Sequence, residues 1–385
     1  MKVLYSTMSV VEYDGLHYYN NPIKATYKRY YPLGTDITVM CFINKVSVAK
    51  QDIIEDSNLH FVFVEKTSSL RALLNGACRR NDEIIKSEVK KADVCVLHVP
   101  CFHNYQVIKY ARMFGKPFIT VVCASAWDEY WTYDWRGKIV APYASYKLKQ
   151  AQKVTDYSIY VTRDFLQKKY PNRSDSISCS NVNIHTGVDG VLDKRLEHIN
   201  GLMKSGAVLK IGTVAPLDIP YKGQIDVIRA LAKLSNKFFR FEYHLLGKGD
   251  NSKLVRAAQM NGIGNIVHFH SSIPHEKVLD FYDSLDIYIH PSRTEGLPRA
   301  VIEAMSRGCL CVGSDAGGIP ELIENKLIFP RKNVESIIDI LNSITIDEIK
   351  NQAVKNYEAA KKFDVNLLNE RRKRFIESFK ATIKK

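Results

Sequence analysis

LDIYIHPSRTEGLPRAVIEAMSRGCLCVGSDAGGIPELIE, residues 285–324, decides the fold. Ile287, Tyr288 and Ile289 form a short apolar run of β-formers, as a buried parallel strand requires. The run stops at His290-Pro291-Ser292, and a polar loop broken by Gly296 and Pro298 follows. Ala300, Val301, Ala304 and Met305 then recur at spacings of three and four, which marks one face of a helix. Gly308 closes that helix. Leu310, Cys311 and Val312 predict the next strand, and Gly313-Ser314-Asp315-Ala316-Gly317-Gly318 a small-residue loop. Pro320 stands at the first-turn position of a second helix. A strand–loop–helix unit repeated in this way sets two loops and two helix N-termini at one edge of a parallel sheet, where anionic ligands bind. Glu295 in the loop and Glu303 in the helix suit acceptors for sugar hydroxyls, or equally a capping acid and a solvated helix acid.

Separated by seven residues in EGLPRAVIEAM and followed by GGIPELI, Glu295 and Glu303 resemble the signature of glycosyltransferase family 4. The resemblance implies an α/β GT-B fold: two Rossmann-like doubly wound parallel-sheet domains facing a cleft. It implies a retaining hexosyltransferase that uses a nucleotide-sugar, a UDP-sugar being favoured. The acceptor implied is a saccharide or lipid-linked saccharide in cell-surface polysaccharide assembly. Glu295 would face the donor sugar and Glu303 the nucleotide ribose, with Gly296, Leu297, Pro298 and Arg299 in the same donor-binding segment. The rival readings are a sugar-nucleotide epimerase and a non-catalytic nucleotide-sugar-binding protein.

Composition fits this class. A chain of 385 residues builds two full cores, and 45% apolar with 25% charged residues is ordinary for a globular protein. No apolar run reaches the ~20 residues that span a bilayer. The opening MKVLYSTMSVVEYDG reads as strand and loop, not as a signal peptide, so a cytoplasmic location is expected. Eight scattered cysteines contain no CxxC pair, and no His/Cys cluster has metal-ligand spacing. Residues 1–200 hold 27 Lys+Arg against 20 Asp+Glu and the remainder 28 against 21, so each half carries +7 of the +14. No nucleic-acid recognition motif accompanies this charge. An anionic nucleotide-sugar and an anionic inner-membrane surface are the partners it suits.

Strands and helices alternate through residues 1–190, the expected acceptor-binding domain. KVLYST is its first strand, with a loop over 6–21 in which Gly15 is the one glycine available for donor phosphates. Residues 68–91 suit a helix. His103 follows a strand end and is an acceptor-side candidate. So are Trp127, Asp128 and Trp131, in a segment that concentrates Trp135, Tyr130, Tyr133, Tyr143 and Tyr146 with Lys138 and Lys147. Aromatics among lysines suit a sugar-stacking or bilayer-interface surface.

Residues 191–345 are the expected nucleotide-sugar domain, entered through a helical linker over 191–206. Lys222-Gly223 matches the Lys-Gly common in family 4, whereas Thr213-Val214-Ala215-Pro216 replaces the family's Arg. By resemblance, Lys222 would face the donor diphosphate, with Arg299 supplying a second charge. Gly247 and Gly249 would approach the nucleotide, and His270, Ser271 and Ile273 the base. No Walker loop or Asp-x-Asp motif is present, so no cofactor and no metal are expected. Helices over 346–385 complete the chain, the last expected to cross back to the first domain.

Overall fold

The computed structural model describes residues 1–49, 51–66, 79–132, 135–202, 207–235, 239–271 and 273–383. The chain divides into two compact units, Met1–Cys179 with Asn369–Lys385, and Ser180–Leu368.

An eight-stranded sheet organises the first unit. Its strands are β1 (Lys2–Tyr13), β2 (Tyr18–Tyr19), β3 (Asp36–Lys45), β4 (Leu59–Phe63), β5 (Val94–Val99), β6 (Phe118–Val122), β7 (Tyr157–Tyr160) and β8 (Asp175–Ser178). They lie in the order β4-β3-β1-β5-β6-β7-β8, all parallel, with β2 antiparallel to β1. Helices α1 (Asn21–Thr26), α2 (Arg79–Lys91), α3 (Phe102–Met113), α4 (Ala126–Trp131), α5 (Trp135–Lys153) and α6 (Phe165–Lys169) connect them. Of the helix expected over 68–91, residues 67–78 lie outside the described residues. The loop expected over 6–21 is corrected: β1 continues through a register shift between Ser6 and Val10 to Tyr13, then turns into β2. Gly15 is in that turn, at φ +106, rather than in a free phosphate loop.

The second unit holds six parallel strands: β9 (Val208–Val214), β10 (Arg240–Leu246), β11 (Val267–His270), β12 (Ile287–His290), β13 (Leu310–Ser314) and β14 (Ile328–Phe329). Their order is β11-β10-β9-β12-β13-β14. Counted along the chain this is 3-2-1-4-5-6, so the winding reverses between β9 and β12, the position at which open parallel sheets bind ligands. Helices α7 (Val191–Gly201), α8 (Gln224–Lys233), α9 (Ser252–Met260), α10 (His275–Asp283), α11 (Arg299–Ser306), α12 (Val334–Ser343), α13 (Ile346–Ala360) and α14 (Val365–Ile383) complete the pattern. The expected linker helix α7 is instead packed into this unit: buried Arg195 donates to the carbonyls of Tyr282, Leu285 and Arg307. From Asn369 onward α14 belongs to the first unit, where Phe375 and Phe379 pack on Tyr157.

Within 285–324, all four residues of β12 and all five of β13 are buried, which explains the apolar runs 287–289 and 310–312. Val301, Ala304 and Met305 join the core through α11, and Gly308 ends the helix at φ +67. The second helix expected after Gly317-Gly318 is corrected: residues Ile319–Glu321 make a single 3-10 turn. Its opening amide is already committed, because Gly318 N–H donates to the Gly296 carbonyl at 2.7 Å. The Gly-rich loop therefore braces the Glu295–Gly296 loop instead of offering a helix N-terminus.

Candidate active site

A cavity of about 420 Å³ opens at the C-terminal ends of β9, β10 and β12, at the point where the winding reverses. Val214, Leu246 and His290, which end those strands, line it. Its polar groups are Lys222, Lys248, His290, Glu295, Arg299 and Glu303.

Glu295 is the electrostatic centre. Lys222 Nζ donates to its Oε1 at 2.6 Å, with the two side chains 18% and 14% exposed. His290 Nε2 lies 3.0 Å from the same oxygen. A carboxylate only accepts, so Nε2 carries the proton, and the Tyr288 hydroxyl lies 3.0 Å from Nδ1 on the ring's other side. Burial pushes the Glu295 carboxyl up, but the Lys222 ammonium and the His290 hydrogen bond outweigh it. The group is held well below the usual carboxylate range.

Two glycines fix this geometry. Gly223 has φ +78, and a Cβ there would sit 2.1 Å from the Pro291 carbonyl oxygen. Gly317 has φ +57, and a Cβ would sit 2.1 Å from the Glu295 carbonyl oxygen. Both contacts need a residue with no side chain and a left-handed backbone. They press the Lys222 turn and the Gly-rich loop against opposite ends of the segment 291–295.

Glu303 is 8% exposed and accepts from the Tyr282 hydroxyl at 3.0 Å. It sits little more than one turn into α11. That helix begins at Pro298 without a side-chain cap, and Pro298, Arg299 and Ala300 line the cavity. Uncapped first-turn amides and an exposed arginine on one wall suit an anion.

Of the residues named from the sequence, the cavity brings together Lys222, Gly247, Ile273, Glu295, Pro298, Arg299 and Glu303. Gly296 and Leu297 bridge Glu295 to Pro298 in the chain. Gly249 turns at φ +107 against Asp218. His270 is directed at His244, with Nε2 3.0 Å from Nδ1 of that ring, and is not among the cavity's lining. Ser271 is exposed, and Ser272 lies outside the described residues. Lys248, His290 and Tyr282 went unnamed at this site. The Gly-Lys-Gly run and the His-Pro at a buried strand's end were the available signals for the first two.

The acceptor-side candidates belong to the first unit. His103 is a core residue, 3.0 Å from Cys101 Sγ and 3.1 Å from Ser6 Oγ, with its pKa lowered by burial to about 4. It is sequestered rather than presented to a ligand. Trp127 stacks on Trp131 at 5.1 Å, and Lys138 lies over the Trp131 ring. Asp128 pairs with Lys169 at 2.6 Å. Trp131 and Trp135 are 43% and 67% exposed. Tyr133 lies outside the described residues. Gly15, also in this unit, accepts at its carbonyl from the Tyr13 hydroxyl.

Residues 210–363 match the family model of the group 1 glycosyltransferases. That segment is of the group 1 glycosyltransferase type. The match contains every cavity residue named above. Protein CapJ of Staphylococcus aureus is 28% identical to this chain over 302 residues, 77% of this chain and 74% of that protein. The amylovoran biosynthesis glycosyltransferase AmsK of Erwinia amylovora is 33% identical over 143 residues, 34% of this chain and 35% of that one. Among solved structures, sucrose-phosphate synthase of Thermosynechococcus elongatus superposes with a TM-score of 0.71 at 14% identity, over 99% of each chain. HepE of Anabaena, in complex with UDP-glucose, gives 0.64 at 16% identity, over 98% of this chain and 100% of that one. These likenesses show the GT-B fold.

Proposed function

We propose that this glycosyltransferase moves a hexose-type sugar from a nucleotide-sugar, a UDP-sugar being favoured, to a saccharide or lipid-linked saccharide, with retention, in cell-surface polysaccharide assembly. One observation carries the reading: Lys222, Glu295, Glu303, Arg299 and the open start of α11 converge on one cavity at the sheet's switch point. Support for the donor class comes from HepE, solved with UDP-glucose, and for the pathway from AmsK.

In this reading the ribose hydroxyls bind Glu303, whose carboxylate accepts from two neighbouring hydroxyls as a bidentate acceptor. The diphosphate lies toward Lys222, Arg299 and the first amides of α11. Glu295, kept ionised by Lys222 and His290, accepts from hydroxyls of the sugar ring. The bond from the anomeric carbon to the diphosphate oxygen breaks, and the acceptor oxygen bonds to that carbon on the same face. The acceptor's proton passes to the departing phosphate. The charge that develops on the leaving group meets Lys222 and Arg299, which act as fixed cations in place of a divalent metal.

No helix among the described residues is long and apolar enough to cross a membrane. The exposed Trp131 and Trp135, with Lys138, support a peripheral contact with an anionic inner-membrane surface, from the cytoplasmic side. A donor panel tests the proposal: release of UDP or GDP is followed for each nucleotide-sugar with and without lipid-linked acceptors. One donor should be turned over, with the anomeric configuration kept. Turnover with inversion, or none across the panel, would reject it.

A further inference from the structure

We propose a second ligand site in the C-terminal unit, a divalent transition-metal site formed by Glu242, His244 and His268 and taking Zn²⁺ in preference to Mg²⁺ or Ca²⁺. Strand geometry assembles it. Glu242 and His244 are two apart on β10, so they share a face of the sheet. Parallel pairing sets His268 of β11 directly beside His244, and His270 beside Leu246. The ligand atoms of Glu242, His244 and His268 all lie within 4.8 Å of one another. His244 Nε2 is 3.3 Å and His268 Nε2 is 3.9 Å from Glu242 Oε2. Ligands bonded tetrahedrally at about 2.0–2.1 Å stand about 3.3 Å apart, the present His244–Glu242 separation, so closure around an ion is chiefly a movement of His268 toward the other two.

The surroundings favour a metal over a mere surface cluster. His244 bonds a metal through Nε2 only as the Nδ1–H tautomer, and His270 Nε2, 3.0 Å from Nδ1, is placed to accept that proton. Such an outer partner fixes a ligand imidazole's tautomer and ring orientation. His268 is 40% exposed and Glu242 34%, which leaves an entry path and room for a water as fourth ligand. Two imidazoles and one carboxylate select a borderline dication, not a hard oxygen-seeking one. Sequence spacing did not show this cluster, because only the β10–β11 register creates it.

The site joins the sheet's outermost strand to its neighbour. β11 is four residues long, pairs among the described residues with β10 alone, and precedes Ile273 in the donor cavity wall. A metal here acts as a clip that holds that wall and takes no part in sugar transfer.

The test is a calorimetric titration of EDTA-stripped full-length protein with Zn²⁺, with Co²⁺ absorption as a second readout. The expected result is one site per chain of micromolar affinity or better, a tetrahedral Co²⁺ spectrum, and a Zn²⁺-dependent rise in Tm. His268→Ala and Glu242→Gln should each weaken binding at least tenfold and abolish the Tm rise. His270→Ala should weaken it about tenfold, and His60→Ala, at an unrelated exposed histidine, should leave it unchanged. Circular dichroism confirms that each variant is folded. Weak multi-site uptake, or affinity unchanged in both folded His268→Ala and Glu242→Gln, overturns the proposal.

Discussion

Removing the Lys222 ammonium should strand a negative charge that the fold has already enclosed. The pair is short, 2.6 Å, and both side chains are less than one-fifth exposed. At an effective dielectric near 20, such a contact is worth about 6 kcal/mol of gross Coulomb attraction. Desolvation and partial exposure take back much of it. Truncating one member of a fully buried pair costs ~3–5 kcal/mol, and exposed pairs are worth under ~1. We therefore expect Lys222→Met to destabilise by about 2 kcal/mol at neutral pH. Glu295→Gln in the same chain should restore more than half of that, a coupling of about 1–2 kcal/mol. The pH dependence has a definite sign. A depressed carboxyl pKa contributes stability that is present above the ordinary carboxylate range and is lost as pH falls through the folded value. Without Lys222 the folded pKa rises, so the gap between wild type and Lys222→Met should narrow as pH drops below ~4.5. Urea denaturation followed by far-UV circular dichroism is the assay. Fluorescence is the wrong probe, since Trp127, Trp131 and Trp135 all lie in the other unit. Additivity of the two substitutions within about 0.5 kcal/mol would refute the argument.

Other consequences are as direct. Gly223→Ala forces a left-handed alanine and a 2.1 Å clash with the Pro291 carbonyl. It should cost at least ~2 kcal/mol and lower donor affinity, and calorimetric melting with unchanged Tm would contradict that. Burial pushes the Glu129 carboxyl up to about 7. A raised acid pKa means stability present at low pH and lost as pH climbs from about 4.5 to 7, so Glu129→Gln should gain at most ~3 kcal/mol over wild type at pH 8 and little at pH 4. A pH-independent difference in urea midpoint would show that this carboxyl is not desolvated. Turnover should survive EDTA, because Lys222 and Arg299 are assigned the leaving-group charge. Activity lost in chelator and restored by Mg²⁺ would contradict the assignment.

Much of the site was legible in the sequence because its signals are local. The apolar run of β12, the three-and-four spacing of α11 and the stop at Gly308 each depend on neighbours in the chain. The carboxylates at 295 and 303 and the Lys-Gly at 222–223 are equally short-range. What stayed hidden was tertiary. Pro320 announces a helix, but the Gly318 amide is drawn to the Gly296 carbonyl and only a 3-10 turn forms. The loop expected after Ser6 becomes strand because β3 resumes pairing at Val10. His290 reads as a strand end, and only the fold turns its Nε2 toward Glu295. His103 reads as a cleft residue, yet its neighbours Ser6 and Cys101 hold it in the core. The β10–β11 histidines converge through register, which no spacing rule along one strand discloses.

The central claim is that the cavity walled by Glu303 and Lys222 binds an activated sugar through its nucleotide. Isothermal titration of the full-length protein with UDP- and GDP-sugars tests it most directly, repeated with Glu303→Ala. The account predicts saturable binding of at least one donor by wild type and at least a tenfold loss in the folded variant. No binding across the panel, or equal affinity in Glu303→Ala, would contradict it.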